Sequence, residues 1–159
     1  MKEVKAEYLE EGNNEKPEYI TVTASGFDAI CIAAVTVTHP TSSDTYAFLP
    51  GEVGKVCTDW APDAPYPWSY SAASVQFKDP AGKTGMARPK CLWIDSPDED
   101  NEVSTPWKGF QVHLPDFKLD NSTFKKWEED PYQMCASKAR FGVYRDINEY
   151  CKYHGTKHI

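Results

Sequence analysis

Short runs of alternating apolar and polar residues, each cut off by Pro, Gly, Asp or Ser, leave this chain little room for long helices. In "YITVTA", Ile20 and Val22 share one face and Thr21 and Thr23 the other. "AICIAAVTVT" starts with Ile30 and Ile32 in one parity and ends with Val35 and Val37 in the opposite parity. Either both faces of that strand are buried, or a bulge near Ala33–Ala34 shifts its register. "TYAFL", "YSAASVQF", "CLWID" and "GFQVHL" follow, the last with Phe110, Val112 and Leu114 on one face and Gln111 and His113 on the other. Some six such strands at this spacing predict a mainly β fold, an antiparallel sandwich or barrel with long loops and at most one or two short helices. A helix is expected within "NSTFKKWEEDP", capped by Asn121 or Ser122 and ended by Pro131. "PYQMCASKARFG" also admits a helix, but a strand over "ARFGVYR", turning at "DIN" into "EYCKY", fits its alternation better.

The chain has 159 residues, enough for one domain with a real core, and aromatics make up 13 % of it. Residues 1–17, rich in Glu, Asn and Lys, read as a mobile arm, and 18–159 as a single β domain. A net charge of −7 without a basic stripe opposes nucleic acid and anionic lipid as partners. No apolar run is long enough for a membrane-inserted helix, and the charged opening has no signal-peptide pattern.

Five cysteines, Cys31, Cys57, Cys91, Cys135 and Cys151, are widely spaced with no CxxC, which argues against zinc and thioredoxin-type chemistry. With the "NST" sequon at Asn121 they favour a mature secreted protein. The pairing preferred from the sequence is Cys57–Cys91 and Cys135–Cys151, with Cys31 odd, as a buried thiol or an intermolecular bridge. An unpaired Cys31, an open strand edge and many aromatics favour a homodimer.

Two loops stand out as candidate sites. "DWAPDAPYPWSY" stiffens its backbone with three prolines and offers Trp60, Tyr66, Trp68 and Tyr70 for glycan stacking or a protein contact. The bland alternative tucks Trp68 and Tyr70 into the core. The acidic run after "KCLWI" supplies Asp95, Asp98 and Asp100 as possible calcium ligands, although their steps are wrong for an EF-hand and no Gly is present. A solvated loop explains that charge density more simply. No GxSxG elbow or protease-type cysteine signature occurs, so no catalytic residue is assigned.

"FDAICIAAVTVT", "RPKCLWID", "GFQVHLPDF" and "CASKARFGVY" with "EYC" together resemble small secreted cysteine-containing, effector-like proteins of filamentous ascomycete fungi. The resemblance implies an extracellular compartment and a disulfide-stabilised β fold, and it brings no catalytic residues. The expected function is therefore non-enzymatic surface recognition of a host or competitor protein or cell-wall glycan. A glycan- or lipid-headgroup-binding module, with calcium optional, is the alternative, and a hydrolase ranks third.

Overall fold

A computed structural model describes residues 18–25, 28–38, 44–78, 82–95, 107–137 and 140–145. The arm expected over 1–17, the "EYCKY" strand and Cys151 lie outside the described residues. In chain order the elements are β1 (Tyr19–Thr23), β2 (Ile30–Ile32), β3 (Val35–Thr38), β4 (Thr45–Phe48), α1 (Pro50–Trp60), β5 (Trp68–Tyr70), β6 (Val75–Lys78), β7 (Thr84–Ala87), β8 (Lys90–Ile94), β9 (Gly109–His113), α2 (Asn121–Glu129) and β10 (Phe141–Tyr144). Two 3-10 turns cover Leu114–Phe117 and Pro131–Met134. The described residues are thus mainly β, in four small antiparallel sheets with no closed barrel.

Two three-stranded sheets, β1-β9-β10 and β2-β8-β5, each place their most apolar strand in the middle. Leu92 and Ile94 of β8 and Phe110 and Val112 of β9 are fully buried, and with Phe141, Val143, Val53 and Cys57 they form one core. Phe48 gathers rings within it, with centroids 5.7 Å from Phe110, 4.7 Å from Phe117 and 5.4 Å from Phe141. The parity change in "AICIAAVTVT" is neither a bulge nor a doubly buried strand. The chain breaks at Ala33–Ala34 and leaves the β2-β8 pairing for a separate β3-β4 hairpin. "YSAASVQF" is likewise divided between β5 and β6, which belong to different sheets.

Helix α1 is absent from the sequence-based expectation, and its composition explains why. Pro50 opens it with its φ already set for a helix. Pro50, Val53, Gly54 and Cys57 then follow the helical spacing of a buried face. Two glycines weaken the pattern, since each costs about 1 kcal/mol against alanine in a helix interior. Packing requires them. A Cβ on Gly51 would sit 2.2 Å from the Lys90 carbonyl carbon, and one on Gly54 would meet Leu92 Cδ1 at 3.0 Å. The helix therefore lies almost on the backbone of β8. Thr58 Oγ1 donates to the Gly54 carbonyl at 2.8 Å and accepts from Tyr66 N at 3.0 Å, folding the proline-rich loop back on the helix.

The disulfide pairing differs from the expected one. Cys31 bonds Cys91, and Cys57 bonds Cys135. Cys31 stands opposite Trp93 in the β2-β8 ladder, so its sulfur lies on the same sheet face as that of Cys91. Cys57 reaches Cys135 because α1 packs against the 3-10 turn that ends at Met134. Neither Cys57–Cys91 nor Cys135–Cys151 forms, and Cys31 is not the odd cysteine. Four of the five are consumed, which leaves Cys151 unpaired within its own chain.

Candidate functional site

The ladder of β9 builds the site. Phe110 and Val112 point into the core, so Gln111 and His113 share the other face. Tyr19 pairs with His113 across the β1-β9 ladder, and the two rings lie 4.8 Å apart at 45°. On the other side His113 N donates to the Arg140 carbonyl at 2.9 Å, which seats Arg140 beside it. Pro115 then turns the chain into a 3-10 helix that brings Asp116 back to His113, Nδ1 to Oδ2, at 2.8 Å.

Helix α2 completes the cluster. Asp120 caps it by accepting from Thr123 N at 2.8 Å, one residue earlier than the Asn121 or Ser122 cap expected from the sequence. Lys126 Nζ reaches Asp116 Oδ1 at 2.7 Å, and Trp127 Nε1 donates to the Asp116 carbonyl at 2.7 Å while its ring stacks on Phe117. Arg140 Nε faces Asp116 Oδ2 at 3.8 Å, and Arg140 Nη1 donates to the Gln133 carbonyl at 3.0 Å. Burial alone would push the Asp116 carboxyl up, but hydrogen bonds from Lys126 and His113 outweigh it and hold its pKa below the usual range. Burial, then the Glu18 and Asp116 carboxylates, raise the Tyr19 phenol, which therefore stays a neutral hydroxyl near neutral pH.

Tyr19, His113, Asp116, Ala136, Ser137 and Arg140 line an open depression of about 450 Å³, within the size range of small-molecule sites. Its lining joins the Tyr19–His113 ring pair, the ion-paired Asp116 carboxylate and the turn that follows Cys135, which the bridge to Cys57 anchors. Arg140 N and Phe141 N both donate to the Ser137 carbonyl there. Next to the depression on the same sheet face, Gln111 donates to Thr21 Oγ1 at 3.2 Å, while its Oε1 is buried without a hydrogen-bond partner.

The residues singled out from the sequence lie elsewhere and do not converge. Trp60 projects from the end of α1, 51 % exposed. Tyr66 turns inward and stacks on Phe141 at 5.5 Å and 25°. Trp68 is half-buried and meets Tyr70 edge-on at 82°, and Tyr70 is 77 % exposed beneath Lys90 Nζ. Perpendicular rings and one inward ring make no flat stacking platform. Of the acidic candidates, Asp95 is buried, and its N–H donates to the Trp107 carbonyl at 2.9 Å, closing the base of the acidic loop. Asp98 and Asp100 lie outside the described residues, and no group of three or more metal-binding side chains occurs among the described ones. Asn121 is exposed at the first position of α2.

Sequence reasoning placed His113 on the polar face of its strand without giving it a role, and it missed Asp116, Lys126 and Arg140. "HLPDF" did carry a local signal: a proline one residue before Asp116 is poised to turn that carboxylate back on His113. Nothing local links Arg140 to them. No protein-family model, no curated protein and no solved structure matches this chain.

Proposed function

We propose that the protein is an extracellular, disulfide-stabilised recognition domain that binds a saccharide unit of a host or competitor surface in the Asp116-centred depression, without catalysing a reaction on it. The observation that carries this reading is the joining of an aromatic wall, Tyr19 and His113, to polar groups locked by ion pairs. Sugars are held by that combination: a ring face for their C–H surface and pre-oriented polar groups for their hydroxyls. Hydrolysis fits less well, because glycosidases need two carboxyls flanking the bond. Among the described residues Asp116 is the one carboxylate lining the depression, and both of its oxygens already accept from other residues. The two bridges support an oxidising compartment.

The test is binding to plant and fungal cell-wall oligosaccharides by the native protein and two variants. Ala136→Trp fills the depression from an exposed position and should abolish binding, while Trp60→Ala should leave it intact. The opposite pattern would move recognition to the proline-rich loop. A second reading, contact with a protein partner, is favoured by the exposure of Trp60 and Tyr70. In that case a Trp60→Ala/Tyr70→Ala protein loses its partner and Ala136→Trp keeps it.

A further inference from the structure

We infer that the unit seated in the depression is an acidic sugar whose planar carboxylate meets the guanidinium of Arg140. This rests on the saccharide reading above and adds the charge of the ligand. Asp116 is surrounded by more positive charge than it can balance. Lys126 lies at 2.7 Å and Arg140 at 3.8 Å, and His113, at 2.8 Å, adds a further charge in its protonated form. One carboxylate neutralises one of these cations. The other remains half-buried at the edge of a concave site, where solvent screens it less than it screens a surface lysine. Glu18, whose charge reaches Tyr19, is exposed, so solvent screens it more than it screens the half-buried Arg140.

The fixing of Arg140 specifies the anion's shape. Nη1 is held by the Gln133 carbonyl and lies 3.5 Å from Gln133 Oε1, and Nε is turned to Asp116, so the guanidinium plane is set before any ligand arrives. Nη2, in the same plane, makes no hydrogen bond among the described residues. A carboxylate oxygen can accept from this one remaining donor of a guanidinium already held in place, a pre-organisation that a flexible lysine ammonium would not reproduce. The Tyr19 and His113 rings, which line the same depression, supply the apolar face that a pyranose needs and a bare anion does not use. A uronic acid carries both features on one ring.

The experiment is calorimetric titration of the full chain with sodium D-glucuronate, D-glucose and sodium sulfate at fixed ionic strength, repeated on Arg140→Gln and Ala136→Trp. Saturable glucuronate binding is expected, with glucose about tenfold weaker, the contribution of one charge-assisted hydrogen bond. Sulfate should be weaker still, lacking a ring to stack. Arg140→Gln should bring glucuronate down to the glucose level, and Ala136→Trp, which keeps every charge, should abolish binding of all three. If glucose binds as tightly as glucuronate, the charge inference fails and the recognition reading stands. If sulfate matches glucuronate, the site holds a bare anion and both fail. Silence from all three probes, or unchanged binding by Ala136→Trp, also overturns both.

Discussion

Single residues in this fold are decided by distances that leave little slack. Gly51 allows α1 to lie on the backbone of β8, and a methyl group there would sit 2.4 Å from the Lys90 carbonyl oxygen. Backbone cannot move aside as a side chain can, so Gly51→Ala should lose about 3 kcal/mol or more, read as a shift in the urea midpoint. Gly54→Ala meets side chains and no backbone, Leu92 Cδ1 at 3.0 Å and Tyr66 Cβ at 3.4 Å, and regains helix propensity, so it should lose about 1–2 kcal/mol, clearly less than Gly51→Ala. Equal losses at the two sites would contradict the close approach of helix and strand. Gln111 predicts the opposite sign. Its Oε1 is buried without a partner, a condition that costs about 1–3 kcal/mol, so Gln111→Met should raise the melting temperature despite losing the bond to Thr21. Asp116 gives stability a pH dependence. Its carboxyl is depressed in the folded state, so its contribution is complete above the unfolded value of about 4 and disappears as the pH falls through the lower folded value. The melting-temperature gap between the native protein and Asp116→Asn should be full at neutral pH and narrow in acid below that value; a gap constant throughout would exclude the Lys126 and His113 pairing as its source.

At the scale of elements, strands were legible and their grouping was not. "GFQVHL" and "CLWID" could be read because their alternating apolar residues are the deepest in the core: Phe110, Val112, Leu92 and Ile94 are all fully buried, although Gln111 and Cys91 on the opposite parity are buried as well. The break at Ala33–Ala34 was visible as a change of parity, but parity cannot say that the next residues join another sheet. Helix α1 escaped because Gly51 and Gly54, needed for packing on β8, dilute the local preference that marks a helix. The Asp116 cluster had one local clue in "HLPDF", whereas its other members come from α2 and from the residue before β10, and only the tertiary fold unites them. The cysteine pairing failed for the same reason. Spacing suggested closing the C-terminal loop, but the pairs follow helix and strand contacts 60 and 78 residues apart. The two bridges cross in sequence, each loop containing one end of the other. On chain entropy each contributes about 4 kcal/mol, and although each bridge has one buried cysteine, Cys57 and Cys91, only Cys57–Cys135 belongs to the core cluster, where its removal leaves a cavity. Cys57→Ala/Cys135→Ala should therefore melt below Cys31→Ala/Cys91→Ala, and the reverse order would contradict the burial of Cys57.

For the whole molecule, the crossed bridges hold two small sheets and a helix around one core, none of which is large enough to be stable alone. The Cys57–Cys135 bridge also anchors the turn that lines the depression. Reduction should thus loosen the site as well as the core. Alkylation of the native protein without reductant should label Cys151 alone, and a peptide joining Cys57 to Cys91 would overturn the fold described. The bridging of Cys31 to Cys91 also removes that thiol from any covalent contact between copies. The most direct test of recognition is an amide proton–nitrogen correlation spectrum of the native protein titrated with a binding cell-wall oligosaccharide. If the depression is the binding site, the shifts gather at Tyr19, His113, Ser137 and Arg140 and spare Trp60 and Tyr70. Shifts centred on Trp60 and Tyr70, with the Asp116 cluster silent, would contradict it.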